Sequence, residues 1–117
     1  MKKSMLNEIL EVMEINNSFE REMAEIFLSE CENYADYEEL INGIGNGSFI
    51  LGPLIYYRQT YNIFRKHFEE IFEVINNELR ERYGEEYRGE LDCNTLVWTA
   101  FEVLTDRWYD AILTLTE

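Results

Sequence analysis

Apolar residues recur at intervals of three and four along most of the chain, which is the spacing of one face of an α-helix. The first such stretch begins near Ser4, a residue type that caps helices. The second follows Asn17 and Glu20, which have the spacing of a capping box. The apolar positions of these two predicted helices are Leu6, Ile9, Leu10 and Met13 in the first, and Phe19, Met23, Ile26 and Phe27 in the second.

A short helical turn and a glycine-rich connection come next. Asp36 is suited to cap the turn "YEELI", which we expect to end at Gly43. In "GIGNGS" the glycines stand at alternate positions and indicate a flexible connection. The segment lacks the Lys-Ser/Thr ending of a phosphate-binding loop, and no strand precedes it, so we do not predict a nucleotide site.

The strongest pattern lies between Pro53, which suits a first helical position, and Gly84, which suits a helix end. It predicts one helix from Pro53 to Tyr83, about 45 Å long at about 1.5 Å per residue. A helix of that length either bends or extends to meet a second copy. Its expected inward stripe is Leu54, Tyr57, Tyr61, Phe64, Phe68, Ile71, Ile75 and Leu79.

A polar connection, with a weak hairpin signal at 84–93, leads to a last helix that begins near Asn94. Its expected apolar face is Val97, Ala100, Phe101, Leu104, Trp108, Ala111 and Ile112. The pattern as a whole predicts an all-α fold: a small bundle of about four helices around the long central helix 53–83. A length of 117 residues and the absence of a linker indicate one domain, 1–117.

Composition supports a packed protein, because 46% of the residues are hydrophobic and 15% are aromatic. No apolar run approaches the roughly 18 residues of a membrane span. Glu8, Glu11 and Glu14 interrupt the apolar positions that a signal peptide needs after Lys2 and Lys3. We therefore expect a cytoplasmic protein without membrane contact.

Charge is distributed unevenly along this acidic chain, whose net charge is −14. Residues 1–47 hold 11 acidic and 3 basic side chains, and residues 69–117 hold 13 acidic and 4 basic ones. Residues 48–68 hold 3 basic side chains and no acidic one. Burial of the first half of the central helix explains the missing carboxylates, because a buried unpaired charge is costly. The alternative is an exposed aromatic patch, with Tyr56, Tyr57 and Tyr61, that a partner covers.

Candidate chemistry is sparse. His67 is the only histidine, and Glu70 follows it by one helical turn, but a metal site needs three or four ligands at suitable spacing. We expect His67 to be a surface residue beside carboxylates, and Cys31 and Cys93 to be buried free thiols. No nucleophile is paired with a base. We therefore predict no metal, no cofactor, no catalytic residue and no enzyme activity.

Direct nucleic-acid binding is also disfavoured. Arg58, Arg65 and Lys66 lie among tyrosines, as in proteins that bind single strands. They are set in a chain of net charge −14, which repels a phosphate backbone. The acidity instead attracts a basic partner, unless it serves only solubility.

Two rows of carboxylates are the candidate partner-binding surface. Because B-DNA carries one negative charge per about 1.7 Å of its axis, a rigid acidic helix surface can compete for the same cationic groove. The acidic residues that we assign to this surface are Glu20, Glu22, Glu25, Glu30 and Glu32 in one row, together with Glu8, Glu11 and Glu14, and Glu69, Glu70, Glu73, Glu78 and Glu81 in the other, together with Glu85 and Glu86.

Three short motifs carry a resemblance: "LIYYRQT" at Leu54–Thr60, "FRKHFEEI" at Phe64–Ile71 and "WTAFE" at Trp98–Glu102, with Gly47 and Gly52 ahead of the first. They resemble a family of small uncharacterised proteins from phages and conjugative plasmids. The resemblance covers Gly45 to Phe101. It implies a shared core, 43–117, to which residues 1–42 add an acidic helical part, and it supplies no catalytic residue.

The resemblance also implies a context, the accessory genes of mobile elements, whose products often antagonise defence in a bacterial host cell. We therefore expect a non-enzymatic anti-CRISPR or antirestriction inhibitor, which binds a nucleic-acid-handling defence enzyme through an acidic, nucleic-acid-mimicking surface. The alternative is a helical interaction module or homodimer that uses exposed aromatics of the central helix, namely Tyr56, Tyr57 and Tyr61.

Overall fold

The computed structural model describes residues 1–47, 49, 57–83 and 92–117, without the side chains of residues 57 and 77–83. Within these ranges the chain forms six α-helices and no strand, so the predicted all-α class is confirmed. Residues 84–91 of the weak hairpin signal and the start of the predicted central helix, 53–56, lie outside the described residues. The helices are α1 (Lys3–Val12), α2 (Ser18–Cys31), α3 (Tyr37–Gly45), α4 (Tyr57–Lys66), α5 (Phe68–Tyr83) and α6 (Cys93–Leu113), and a 3₁₀ turn follows at Thr114–Thr116.

Side-chain caps define the starts of α2 and α3, as the sequence predicts. Asn17 Oδ1 accepts a hydrogen bond from the backbone N–H of Glu20 at 2.8 Å. Asp36 Oδ1 does the same for Glu39 at 2.9 Å. Each cap satisfies one of the N–H groups that have no partner within the first helical turn. The prediction for α1 is wrong, because the cap position is Lys2 and Ser4 lies inside the helix.

The predicted helix 53–83 is divided in two at His67. Its described part ends at Tyr83, as predicted. The N–H of His67 donates to the carbonyl of Ile63, and the N–H of Ile71 donates to the carbonyl of His67, both at 2.9 Å. Both bonds have the spacing of an α-helix, so helical hydrogen bonding reaches His67 from each side although the helix is interrupted there.

The inward face of α4 differs from the predicted stripe. Thr60, Ile63 and His67 are buried at helical spacing, and this helix packs against α6. Tyr61 and Phe68, which the periodicity predicts as inward residues, are 49% and 43% exposed. The prediction fails because it counts every tyrosine and phenylalanine as an inward residue, whereas the buried face of α4 is formed by Thr60 and Ile63.

The central position belongs to α6, which packs against each of the other five helices. This helix has 21 residues, and its apolar positions occupy more than one side, so several neighbours can pack on it at once. The sequence assigns that role to residues 53–83, and the structure corrects this assignment. The buried residues of α6 include six of the seven predicted ones: Val97, Ala100, Phe101, Leu104, Trp108 and Ile112.

Trp108 joins the amino-terminal helices to α6. Its side chain is fully buried, and the indole N–H donates to the carbonyl of Met13 at 3.1 Å, just beyond the end of α1. Its ring also meets the ring of Phe27 in α2 edge to face, with centroids 5.2 Å apart. The indole therefore packs in the core while its one polar atom finds a partner, as buried tryptophans require.

The glycine-rich segment is largely helical, so it does not form the phosphate-binding loop that its composition superficially suggests. Gly43 is a buried residue of α3, and Gly45 is its last residue. Gly47 is the first glycine with a left-handed backbone, at φ +81°. A Cβ atom at Gly43 would lie 2.5 Å from Cε1 of Tyr34, so close packing excludes any side chain there.

We expect Gly43→Ala to lower the free energy of unfolding by about 1–3 kcal/mol, because the added methyl group overpacks the contact with Tyr34. This loss outweighs the gain of roughly 1 kcal/mol in helix propensity. Gly45→Ala is the matched control, since the nearest atom to its Cβ, Tyr109 Oη, is 4.0 Å away. Urea unfolding measures both, and equal stabilities of the two variants would contradict the packing argument.

Candidate functional site

His67 is buried, with 3% of its surface exposed, at the bend between α4 and α5. Its Nε2 atom lies 2.5 Å from Oε2 of Glu22 in α2, and its Nδ1 atom lies 3.3 Å from Oε2 of Glu70 in α5. The prediction of a surface histidine is therefore wrong, although its neighbours are carboxylates as expected. When protonated, the imidazole can donate one N–H to each carboxylate and so neutralise part of their charge.

Glu70 is held at the amino terminus of α2. Its carboxylate accepts hydrogen bonds from the hydroxyl of Ser18 at 2.7 and 2.9 Å, and from the backbone N–H of Phe19 at 2.5 Å. Burial of the carboxyl raises its pKa, but these hydrogen bonds and the charge of His67 outweigh burial and lower the pKa of Glu70 below its ordinary value. The folded state therefore favours the ionised carboxylate, which also suits a helix amino terminus.

The contacts between α2 and the segment 67–70 run in opposite chain directions. Ser18 contacts Glu70, and Glu22, one turn later in α2, contacts His67, which precedes Glu70 in the chain. The carboxylates of α2 beyond Glu22 therefore run away from those of α5 beyond Glu70. The two predicted acidic rows meet at the imidazole through Glu22 and Glu70.

Ser18, His67 and Glu22 bring a hydroxyl, an imidazole and a carboxylate together, which sequence reasoning missed. The Ser18 Oγ atom lies 3.4 Å from Nδ1 of His67. The same hydroxyl donates its proton to the Glu70 carboxylate at shorter distances. The Ser18 side chain therefore links α2 to α5. The spacing of His67 and Glu70 was visible in the sequence, but Ser18 and Glu22 lie 45 or more residues away from them.

Glu20 does not belong to the exposed acidic surface. It is 2% exposed, and its carboxylate pairs with the guanidinium of Arg107 in α6. The sequence assigns Glu20 to the acidic partner-binding surface, and its burial contradicts this assignment. A buried carboxylate is tolerated where a partner charge and hydrogen bonds compensate its lost hydration. The sequence did not reveal this partner, because Arg107 lies 87 positions further along the chain.

The carboxylates that remain accessible on α2 and α5 form what we call the acidic strip: Glu22 and Glu25 of α2 with Glu32 at its C-cap, and Glu69, Glu70 and Glu73 of α5. Glu25, Glu32, Glu69 and Glu73 are exposed, whereas the side chains of Glu22 and Glu70 are 29% and 31% exposed. Helix geometry puts Glu22, Glu25 and Glu32 on one side of α2, over about 15 Å.

The other predicted acidic residues have different positions. Glu30 is half-buried and accepts a hydrogen bond from Asn33 at 3.1 Å. Glu78 and Glu81 belong to α5, but their side chains lie outside the described residues. Lys66 borders the strip, since its Nζ atom lies 3.6 Å from Glu22 Oε2.

An exposed aromatic pair is the second candidate surface. Tyr61 and Phe68, seven positions apart on α4 and α5, are both more than two-fifths exposed. The guanidinium carbon of Arg65 lies 5.9 Å from the centroid of the Tyr61 ring, within cation–π range. Phe68 meets the ring of Phe64 edge to face at 5.3 Å. Of the other two predicted aromatics, residue 56 and the side chain of residue 57 lie outside the described residues.

Metal and thiol chemistry have little basis in the described part of the chain. No group of three or more His, Cys, Asp or Glu residues there can hold a metal ion. Cys31 and Cys93 are free thiols, as predicted, but Cys93 is only half-buried. Burial raises the pKa of the Cys31 thiol to about 12, with a smaller contribution from the charge of Glu30, which disfavours the reactive thiolate. No described helix is long and apolar enough to span a membrane.

Comparison with protein families places residues 2–114 in one family, described as a domain of unknown function (DUF7222). The match covers nearly the whole chain, so the protein belongs to this family. It includes the amino-terminal helices as well as α4 to α6. Comparisons with curated proteins and with solved structures gave no match.

We expect Glu70→Gln to lower the free energy of unfolding at neutral pH by about 1–3 kcal/mol, because it removes charge-assisted hydrogen bonds at the start of α2. Since the folded pKa of Glu70 is lowered, its contribution is present above the ordinary value of 4.5 and is lost as the pH falls through the folded value. The difference between wild type and variant should therefore shrink in acid.

Urea unfolding at neutral pH and at about pH 3 measures this difference. Glu69→Gln is the control, because Glu69 is the preceding residue of α5 and is exposed. Its stability should stay within about 0.5 kcal/mol of the wild type. A Glu70→Gln deficit that stays constant with pH would show that ionisation of Glu70 does not stabilise the fold.

Proposed function

We propose that this protein is a non-enzymatic inhibitor that binds a basic, nucleic-acid-handling protein through the acidic strip. The observation that carries the proposal is the pair of contacts at His67, where Glu22 of α2 and Glu70 of α5 flank one imidazole. The net charge of −14 adds a long-range attraction for basic partners. The motif resemblance favours a defence enzyme as target, of the kind that CRISPR nucleases and restriction enzymes represent.

The mechanism is competition for a cationic groove. Such a groove binds nucleic acid largely through phosphate charges, and carboxylates on a rigid surface meet the same Arg and Lys side chains. The strip needs no reacting group, because occupation of the groove is enough to exclude the nucleic acid. Electrostatic attraction also speeds the encounter between the partners at low salt.

Rigidity supports this mechanism at the centre of the strip. Glu70 is fixed by Ser18 and Phe19, and Glu22 is fixed by His67. Side chains that are already ordered lose less conformational entropy on binding than free ones do. The exposed carboxylates of Glu25, Glu69 and Glu73 flank this ordered centre.

The second candidate function is an assembly module that pairs through α4 and α5. One observation favours it, the exposure of Tyr61 and Phe68 on neighbouring helices. Aromatic side chains and arginine are enriched at protein interfaces, and Arg65 lies beside Tyr61. In this case the acidity serves solubility.

We expect Glu25→Lys/Glu73→Lys to abolish capture of the target by the tagged protein. Reversal of two interface charges should weaken binding by at least about tenfold, because loss of one partner of a charge pair costs about 2–5 kcal/mol. The measurement is a pull-down from bacterial lysate at low and high salt, with mass spectrometry and with duplex DNA as competitor.

The control variant, Glu38→Lys/Asp110→Lys, makes the same change of net charge at exposed positions of α3 and α6. This control variant should capture the target as well as the wild-type protein does. The inhibitor function is supported if the wild-type protein captures a nucleic-acid-handling protein. That capture should be lost in each of three conditions: with the strip variant, at high salt, and with competing DNA. Equal loss with both variants, or capture that resists salt and DNA, would rule out the strip as the binding surface.

The assembly hypothesis predicts that Tyr61→Ala/Phe68→Ala changes the oligomeric state. Wild-type protein should then sediment as a dimer at micromolar concentration, and the variant as a monomer with an unchanged helical circular dichroism spectrum. Analytical ultracentrifugation measures this. A wild type that sediments as a monomer throughout would eliminate the hypothesis.

A further inference from the structure

The outer face of α4 carries two arginines without an acidic partner in the described part of the chain. Arg58 and Arg65 stand seven positions apart, so helix geometry puts them on one side of α4, about 10 Å apart along its axis. Both are exposed, and neither forms an ion pair with a described carboxylate. Tyr61 lies between them and is 49% exposed. We call Arg58, Tyr61 and Arg65 the α4 face.

The outer face of α2 carries the opposite charge at the same spacing. Glu25 and Glu32, the residue at the C-cap, are seven positions apart and exposed. Leu28 is half-buried and lies between them, as Tyr61 lies between the arginines of α4. We call Glu25, Leu28 and Glu32 the α2 face. Its two carboxylates can therefore meet the two arginines while the tyrosine ring packs on Leu28.

A further pair of charges favours an antiparallel contact between these faces. Glu69 follows Arg65 by four positions, across the bend at His67, and is exposed. Arg21 precedes Glu25 by four positions and is also exposed. When the two helices run in opposite directions, opposite charges meet at three positions, because each step along one helix is matched by a step back along the other. The three pairs are Arg58 with Glu32, Arg65 with Glu25, and Glu69 with Arg21.

Exposed apolar side chains lie beside the same two faces. In the described part of the chain, the large apolar residues that are exposed are Leu10, Tyr61 and Phe68. Phe68 follows the α4 face, and Leu10 lines a hollow of about 520 Å³ together with Leu28. Protein interfaces combine an apolar centre with a polar rim, and these residues supply the apolar part.

We propose that the α4 face binds the α2 face of a second copy of this chain. Each copy carries both faces, and these are neighbours within one chain, because Lys66 of α4 contacts Glu22 of α2. The contact can therefore be reciprocal and close as a two-fold dimer. The net charge of −14 on each copy opposes association, but at physiological salt the screening length is about 8 Å, so the charges in contact outweigh the distant ones.

This dimer rests on the assembly hypothesis and names the surface that Tyr61 and Phe68 would meet. It does not depend on the inhibitor function. It does cover Glu25 and Glu32 of the acidic strip, so a basic target and a second copy would compete for the same carboxylates.

The test is an exchange of charges between the two faces, followed by analytical ultracentrifugation of the full-length protein at about 0.15 M salt. The wild type should form a dimer with a Kd on the order of 10 micromolar. Arg58→Glu/Arg65→Glu and Glu25→Arg/Glu32→Arg should each weaken the dimer at least about tenfold, because like charges then oppose each other. An equimolar mixture of the two variants should form a heterodimer within about threefold of the wild-type affinity, since every contact again joins opposite charges.

General repulsion does not account for this expected pattern. Glu25→Arg/Glu32→Arg makes the chain less acidic, so repulsion alone would strengthen its self-association. Glu38→Arg/Asp110→Arg is the matched control, because it makes the same change of net charge at exposed positions of α3 and α6. This control should leave the Kd within about threefold of the wild type.

The possible results separate this dimer from the two proposed functions. A mixture that stays monomeric, or a dimer that dissociates with Tyr61→Ala/Phe68→Ala but resists both charge variants, would overturn the contact between α2 and α4. The second result would leave the assembly hypothesis in place. A wild type that is monomeric throughout overturns both, and a failed pull-down of a target changes none of these results.

Circular dichroism checks that each variant is folded. If a double variant loses its helical spectrum, the single reversals Arg65→Glu and Glu25→Arg replace the double ones. The same loss of the dimer and the same recovery on mixing are then expected, and a mixture without recovery again contradicts the contact.

Discussion

The imidazole of His67 is the contact on which the arrangement of the charged helices depends. It lies at a bend, is buried, and is bracketed by one carboxylate from α2 and one from α5. Thr60 and Ile63 before the bend and Ile71 and Ile75 after it are all buried. The same residue thereby sets how α4–α5 packs and where two acidic helices meet.

The acid-free segment 48–68 includes α4, which has one buried face and one exposed face. The α4 face that holds Thr60 and Ile63 packs on α6, where an unpaired carboxylate would be costly. The opposite face exposes Tyr61 and the cations Arg58 and Arg65. The missing carboxylates therefore have a structural reason on one face, while the other face keeps an aromatic and basic surface on an acidic protein.

Local features of this fold were predictable because they depend on residues near each other in the chain. The caps at Asn17 and Asp36 need only the first turn that follows, and the apolar face of α6 needs only its own periodicity. The bend at His67 was not predictable in this way. Periodicity continues through it, and the carboxylate of Glu22 that holds the ring comes from 45 positions earlier.

The candidate site shows the same division. The sequence by itself determined the helical class, the excess of carboxylates and their placement on α2 and α5, because composition and helical spacing are properties of the chain alone. Tertiary structure decided which carboxylates stay exposed. Glu20 is buried against Arg107 and Glu70 is bound to α2, whereas Glu25 and Glu73 remain accessible. Ion pairs and burial join residues that are distant in the chain, so no local pattern contains them.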